Sequence, residues 1–161
     1  LMALPTVVVG LVVYSFISRS GPLGGLALLF TPRAVVIGQA ILAFPIVVSM
    51  IASSLSRLDP LFPEVLTTLG ANRASVFWMT LREARGGVLS ASLASFGRVV
   101  GEVGAAMMLG GNIRGYTRTI TTAIALETSK GEFELGLALG IILMLTSLLV
   151  NGALHLAVKH E

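Results

Sequence analysis

Two opposite charges stand four residues apart in an otherwise apolar stretch of this chain. Arg98 and Glu102 are the only charged residues between positions 86 and 113. A spacing of four places both side chains on one face of a helix, within reach of an ion pair. Inside a bilayer such charges are costly and usually face a bundle interior or water. The pair could therefore lock two helices together, or the guanidinium could contact an anionic solute.

Other chemically active residues do not form a recognisable site. The chain has no cysteine, and its two histidines, His155 and His160, lie near the C-terminus. An intramembrane hydrolase would need a serine beside a histidine or lysine, paired aspartates or a metal, but Asp59 is the only aspartate. The Gly-x-x-x-x-Gly-Lys-Ser/Thr pattern that binds nucleotide phosphates is also missing. We expect no catalytic residue and no metal site, and the chain cannot hydrolyse ATP unaided.

The composition indicates a membrane protein. Hydrophobic residues make up 55% of the 161 residues and charged residues 12%, with a mean hydropathy of +0.91. This charged fraction is about half of that in a soluble domain, too low to cover a surface in water. The net charge is +3, but Lys and Arg are scattered through the loops. Contact with lipid headgroups explains this charge better than nucleic-acid binding does.

Four apolar stretches are long enough to cross a bilayer as helices, which takes roughly 20 residues. They cover residues 1–18, 34–56, 86–111 and 135–158. Because they are apolar on all sides, they do not fit the alternating strands of a barrel. We predict an all-α integral membrane protein, a polytopic helical bundle in a single domain over residues 1–161. The apolar start has no basic region or cleavage site of a signal peptide, so we expect a preceding N-terminal helix to be missing.

The longest polar connection, residues 57–85, predicts a short amphipathic helix outside the membrane. Asp59 and Pro63 favour a helix start, and Glu64 in the first turn complements the helix dipole. Gly70 is suited to end the helix as a C-terminal cap. A second helix with aromatic side chains is expected to follow before the third span. After that span, the Thr-rich stretch leads into another helix that is too short to cross.

This loop resembles the cytoplasmic "EAA loop" of the permeases of bacterial and archaeal ABC importers. That signature places a Glu six residues before a Gly that is followed by Ala, and Glu64, Gly70 and Ala71 match this spacing. Val65 and Leu66 stand where the family usually has two alanines, and the Leu-Pro pair at the end of the loop is missing. In the family, this helix docks into a groove of the ATPase subunit. The resemblance implies a set of ATPase-coupling residues: Glu64, Leu66, Leu69, Gly70 and Ala71.

A second region, residues 96–119, resembles the molybdate and tungstate permeases. Their corresponding helix carries an Arg and a Gly-Glu pair, followed by a Gly-Asn-Ile turn and a Thr-rich segment. Residues 4–11 and 18–24 also look like the tungstate branch, so the resemblance runs over nearly the whole chain. It implies the membrane-spanning permease subunit of an ATP-driven importer for tungstate or molybdate. The candidates for its translocation path or gate are Arg98, Gly101, Glu102 and Asn112.

The resemblance also implies partners and a location. A separate ATPase subunit would carry ATP and Mg, an extracytoplasmic oxyanion-binding protein would deliver the cargo, and a second copy of the chain would form a homodimer. The protein would lie in the prokaryotic plasma (inner) membrane and cross it several times. With the coupling loop in the cytoplasm, counting the spans places the C-terminus there too. No cofactor is expected in this chain.

Several alternatives stay open from the sequence alone. The cargo could be sulfate or another solute, because these tetrahedral dianions are alike and the external binding protein largely selects among them. The chain could be a membrane protein without transport, or an intramembrane enzyme built around a serine near His155. Gly97, Gly101 and Gly104 form a small-residue stripe about 100° around the helix from the charged pair. That stripe could serve simple helix packing, a gate or a dimer seam.

Overall fold

The computed structural model describes residues 5–159, apart from the side chains of residues 154, 155 and 157–159. This part of the chain contains helices and no strand, so the predicted all-α membrane bundle is confirmed. The helices are α1 (Thr6–Ile17), α2 (Pro32–Leu55), α3 (Leu61–Thr68), α4 (Arg73–Glu83), α5 (Arg85–Val100), α6 (Gly104–Gly110), α7 (Ile120–Ser129) and α8 (Phe133–Lys159), with a 3-10 turn at Gly24–Leu26.

Two of the described helices are long and apolar enough to cross a membrane alone, namely α2 and the Phe133–Ala153 part of α8. Helices α5 and α6 are long and apolar enough to form a third membrane crossing if they are counted as one bent span, with an angle of 66° between them. The apolar helix α1 has 12 residues, fewer than a span requires. The first four positions of the predicted span 1–18 lie outside the described residues.

The third span differs from the single continuous helix that we predicted over residues 86–111. Helix α5 ends at Val100 and α6 begins at Gly104, with Gly101 as the C-terminal cap of α5. Glycine is a poor helix former, so the local sequence resists a bend here only weakly. The apolar composition of the stretch is compatible with one helix or two, and it therefore gave no warning of the break.

Helix α2 is the centre of the described bundle, where it packs against α1, α5 and α6, while α7 packs against α8. The buried core lies where α1, α2 and α6 meet. It consists of Val13, Ile17, Ala34 and Leu109, with the partly buried Val9, Leu28, Leu29 and Ile37 around it. Leu109 is fully buried, so the short helix α6 is held by its neighbours rather than by its own length.

Small residues allow these three helices to approach closely. A Cβ added at Gly38 of α2 would collide with Cδ1 of Leu109. A Cβ at Gly110 would lie 2.7 Å from Cγ2 of Val35, and one at Gly10 would lie 3.2 Å from Cα of Ala105. Close backbone approach at glycines is a common way to pack membrane helices, where no water drives the association.

We expect Gly38→Ala to destabilise the bundle, because the new methyl group would displace Leu109 from the core. Overpacking of this kind typically costs about 1–3 kcal/mol. Gly140→Ala in α8 is the matched control, because a Cβ there meets no atom within 4 Å. The melting midpoints of the two purified variants in detergent should separate clearly. Equal midpoints would show that the α2–α6 contact is not tight.

Candidate functional site

The break between α5 and α6 is built around the carboxylate of Glu102. This residue is only 4% exposed. Its Oε2 lies 3.4 Å from Nη1 of Arg98, and its Oε1 accepts a hydrogen bond from the backbone N–H of Ala105 at 3.2 Å. The first N–H groups of a helix have no partner within the helix. The Glu102 side chain therefore binds the end of α5 through Arg98 and the start of α6 through the backbone N–H of Ala105.

One carbonyl group at the break also has a side-chain partner. The hydroxyl of Thr121, at the start of α7, donates to the carbonyl oxygen of Glu102 at 3.1 Å, and Thr121 is buried. Irregular backbone at membrane depth is tolerated only where protein or a water-filled cavity supplies hydrogen bonds. We did not identify Thr121 as a site residue from the sequence. The Thr-rich stretch around it was the available signal.

The predicted ion pair of Arg98 and Glu102 is present, but its two members differ. The Arg98 side chain is 48% exposed, whereas that of Glu102 is 5% exposed. A guanidinium has five N–H donors, and the only hydrogen bond of Arg98 to a described residue is the one to Glu102. The pair therefore contributes to the structure while part of the arginine stays accessible.

The predicted stripe of Gly97, Gly101 and Gly104 is wrong, because it assumed one continuous helix. Gly101 caps α5 and Gly104 opens α6. A Cβ at Gly97 meets nothing within 4 Å, while one at Gly104 would lie 3.3 Å from Cγ2 of Val7. Gly101 is thus part of the hinge at the break and Gly104 belongs to the contact with α1.

Asn112 lies at the other end of α6 and is not brought next to the Arg98–Glu102 pair. Its backbone adopts a left-handed conformation with φ of 50°. The Nε of Arg118 donates to Oδ1 of Asn112 at 3.2 Å, and Nδ2 of Asn112 donates to the carbonyl oxygen of Thr122 at 3.3 Å. Asn112 thereby joins the end of α6 to the start of α7, which is a structural task.

The Thr-rich stretch supplies the remaining hydrogen bonds of this connection. The hydroxyl of Thr117 donates to the carbonyl oxygen of Gly110 and accepts from the N–H of Ile113. Thr119 and Thr122 form a capping box that starts α7. The short helix predicted after this stretch is present, and its 10 residues are too few to cross a membrane.

The short helix α3 of the long loop has the predicted start and end. Oδ1 of Asp59 accepts from the N–H of Leu61 at 2.9 Å. At the other end Gly70 has a φ of 84°, and the N–H of Ala71 reaches the carbonyl oxygen of Leu66 at 3.0 Å. Gly70 N–H also bonds the carbonyl oxygen of Thr67. These two bonds define a Schellman motif, which needs a left-handed residue at the position of Gly70.

One side of α3 presents an apolar stripe without a partner in the described structure. Leu61, Val65 and Leu69 are 59%, 52% and 78% exposed and recur every four residues. Leu66 is 9% exposed, so its side chain faces the protein and holds α3 in place; its part in ATPase coupling stays a prediction. We missed Leu61 and Val65, which the spacing of four would have revealed. Glu64 is exposed in the first turn.

A cavity of about 570 Å³ with a mixed polar and apolar lining opens beside this loop, between the end of α2 and the start of α5. Its polar lining residues are four serines, Arg57 and Glu83, and the hydroxyl of Ser90 donates to the carbonyl oxygen of Gly86. The serines are Ser49, Ser53, Ser54 and Ser90. Ser54 packs directly against Gly87, where a Cβ would collide with the hydroxyl. The Arg57 guanidinium could contact an oxyanion here, whereas the Glu83 carboxylate would repel it and so favour its release.

The described residues give no support to a metal site or to an intramembrane enzyme. No group of three or more His, Asp or Glu residues in this part of the chain is placed to hold a metal ion. The side chain of His155, around which an intramembrane enzyme would be built, lies outside the description.

We expect Glu102→Ala to destabilise the protein, because the N–H of Ala105 and the guanidinium of Arg98 would both lose their acceptor. Leaving the buried N–H of Ala105 unsatisfied costs about 1–3 kcal/mol, and the half-exposed Arg98 adds less. Glu102→Gln keeps an acceptor oxygen of nearly the same shape and should retain most of the stability. The melting midpoint of each purified protein in detergent measures the difference. If the Gln variant melted as low as the Ala variant, the carboxylate would act through its charge and not as a cap.

Comparison with known proteins gives the family of the chain. The family model described as "Binding-protein-dependent transport system inner membrane component" matches residues 1–160. The chain is 44% identical over 155 residues to a "Probable anion ABC transporter permease protein" of Haloferax volcanii, which covers 93% of this chain and 67% of that protein.

Two further relatives carry more specific names. The "Tungstate uptake system permease protein TupB" of Campylobacter jejuni is 41% identical over 154 residues, covering 96% of this chain and 64% of that protein. The "Molybdenum transport system permease protein ModB" of Haemophilus influenzae is 34% identical over 162 residues, covering 93% and 71%. The chain spans about two thirds of the length of these relatives. By the family model and by these identities, the chain belongs to the inner membrane components of binding-protein-dependent transport systems, the permeases of ABC importers.

Proposed function

We propose that this chain is the translocating permease subunit of an ATP-driven importer for tungstate, with molybdate as the second candidate cargo. The observation that carries the transport role is the exposed aliphatic stripe of α3, closed by the Schellman motif at Gly70. The stripe lies in the loop that resembles the coupling loop of the family. For the cargo, identity to the relatives named for tungstate is 39% and 41%, against 30% to 34% for those named for molybdenum.

In this proposal α3 is the coupling helix and the ATPase subunit covers its stripe. Leu61, Val65 and Leu69 would fill the groove of the ATPase, with Glu64 exposed beside them. Leu66 holds the helix from the inside. Gly70 and Ala71 shape its end, because their backbone bonds fix where α4 departs. A displacement of α3 would therefore be transmitted to α4, and through α4 to α5, because no long flexible linker separates these helices.

The proposed path of the anion follows α5. At one end of this helix lies the serine-lined cavity with Arg57 and Glu83, and at the other end lies the half-exposed guanidinium of Arg98. The contact of Arg98 with Glu102 is long for a charged pair, at 3.4 Å. A partly neutralised arginine attracts a dianion weakly enough to release it again. Gly101 at the break would let the two halves of the span change their angle.

The remaining partners follow from the same proposal. ATP and Mg would bind to the separate ATPase subunit, and an extracytoplasmic protein would deliver the oxyanion. A second copy of the chain would complete the path as a homodimer, and only 6% of the apolar window of α8 is buried in the single chain. With α3 in the cytoplasm, α5 and α6 lead outward and α8 returns, which places the C-terminus in the cytoplasm.

We predict that Val65→Ala combined with Leu69→Ala uncouples transport from ATP. Truncating anchor residues at the centre of an interface costs about 2 kcal/mol or more, which corresponds to a loss of ATPase affinity of at least about thirtyfold. Thr67→Ala is the matched control, because Thr67 is exposed on another face of α3 and its hydroxyl bonds only Pro63 of the same helix. The readouts are ATPase co-purification and ATP-dependent tungstate uptake by liposomes that contain the full-length complex.

Competing oxyanions in the same assay identify the cargo. Tungstate should suppress uptake of labelled molybdate more strongly than sulfate does. Failure of a well-assembled complex to import any of the three anions would refute the proposed cargo. Failure of the full-length protein to bind any ATPase would refute the importer role itself.

A further inference from the structure

Helix α4 exposes aromatic side chains that the proposed transport role does not use. Phe77, Trp78 and Met79 are 60%, 66% and 48% exposed. The rings of Phe77 and Trp78 contact each other edge to face, with centroids 5.7 Å apart. Trp78 is the only tryptophan of the chain. Large aromatic groups in this position would be unfavourable in water, so this face of α4 requires a neighbour.

Arginines accompany the aromatic side chains on α4. Arg82 lies one turn after Trp78 and therefore on the same face, and Arg73 opens the helix. Both arginines are exposed. No described residue forms an ion pair or hydrogen bond with the guanidinium of Arg73 or Arg82. Glu83 is the only acidic residue of the helix, so the exposed face carries a positive balance and complements an anionic surface.

A cleft beside Arg82 combines the same two properties. It has a volume of about 470 Å³ and lies between α3 and the end of α4. Phe62 and Met79 give it apolar walls, while Arg82, Glu83 and Arg85 stand at its polar part. The Arg82 guanidinium next to the apolar Phe62 and Met79 offers a phospholipid the two environments that its phosphate and its acyl chain need, although the Glu83 carboxylate reduces the positive charge there.

The position of α4 in the chain decides which neighbour covers this face. Ala84 ends α4 and at the same time starts α5, and α5 with α6 forms a candidate membrane crossing. The last turn of α4 therefore lies where the chain enters the bilayer. With 11 residues the helix is too short to span. Trp, Phe and Arg are the residue types that concentrate at the boundary between headgroups and acyl chains.

The exposed faces of α3 and α4 also differ in chemistry. The stripe of α3 is aliphatic, made of Leu61, Val65 and Leu69, as expected for a groove in a protein. The face of α4 is aromatic and basic. We propose that α4 is an interfacial anchor, which inserts Phe77 and Trp78 into the adjacent membrane leaflet and binds anionic lipid phosphates through Arg73 and Arg82. This proposal is independent of the cargo.

Fluorescence of Trp78 tests the anchor directly in the assembled protein. The full-length permease with its ATPase is placed in vesicles of phosphatidylcholine and phosphatidylglycerol, whose acyl chains are brominated close to the headgroup. The signal of Trp78 is the difference between the wild type and Trp78→Phe. We expect blue-shifted emission that the brominated lipids quench at least about twofold more than aqueous acrylamide does, as for an indole at the headgroup boundary.

The roles of Arg73 and Arg82 are tested by varying the charge of the lipid headgroups. Arg73→Gln combined with Arg82→Gln should reduce the quenching in vesicles with phosphatidylglycerol and leave it unchanged in pure phosphatidylcholine. Arg114→Gln, an exposed arginine in the connection before α7, is the matched control and should have no effect. High salt should imitate the double variant, because it screens the attraction to anionic lipid.

Two results would overturn the proposal. Emission of Trp78 that acrylamide quenches and brominated lipid does not would place α4 in water. Emission that becomes protected only when the ATPase binds would make the aromatic face part of the protein interface. Both results can be obtained while tungstate uptake proceeds normally, so the anchor and the transport role can fail separately.

Discussion

The arrangement of the bundle depends on one constraint, the satisfaction of backbone polar groups where the third span breaks. Hydrocarbon offers no hydrogen bonds, and each unsatisfied group there costs several kcal/mol. The side chain of Glu102 and the hydroxyl of Thr121 meet this demand from two directions, one at the N–H of Ala105 and the other at the carbonyl of the break itself. A buried carboxylate is thus used chiefly to complete the backbone, with Arg98 balancing its charge.

The same constraint explains why α7 and its connection are so rich in threonine. Once α6 ends after seven residues, its last carbonyl groups and the following turn also need partners. Thr117, Asn112 and Arg118 supply them within a few residues of sequence. The glycines at positions 10, 38 and 110 then bring α6 against α1 and α2. The bend, the Thr-rich turn and the small-residue contacts therefore form one unit.

Features set by local sequence were predicted well, and features set by distant contacts were not. The predicted span 34–56 corresponds to α2 at Pro32–Leu55, because its run of apolar residues is bounded by arginines. The left-handed backbone of Gly70 followed from its residue type and its place after a short helix. The break at Gly101 and the inward side chain of Leu66 depend on which helices pack where. No local pattern encoded that information. The spacing of four predicted the Arg98–Glu102 pair correctly because the chain completes one more turn after Arg98 before it bends.

The connections from α3 to α5 are short, and this has a mechanical consequence for the proposed coupling. The Schellman motif fixes the turn from α3 to α4, and a single residue, Ala84, separates α4 from α5. In the proposed mechanism a force on α3 passes to α4 and α5, and α5 tilts if α4 is held at a fixed point. A helix held in the membrane surface by aromatic and basic side chains would supply that point. In such an arrangement a small displacement of α3 would become a tilt of α5, and the glycine-capped break after Val100 would limit how far that tilt reaches into α6.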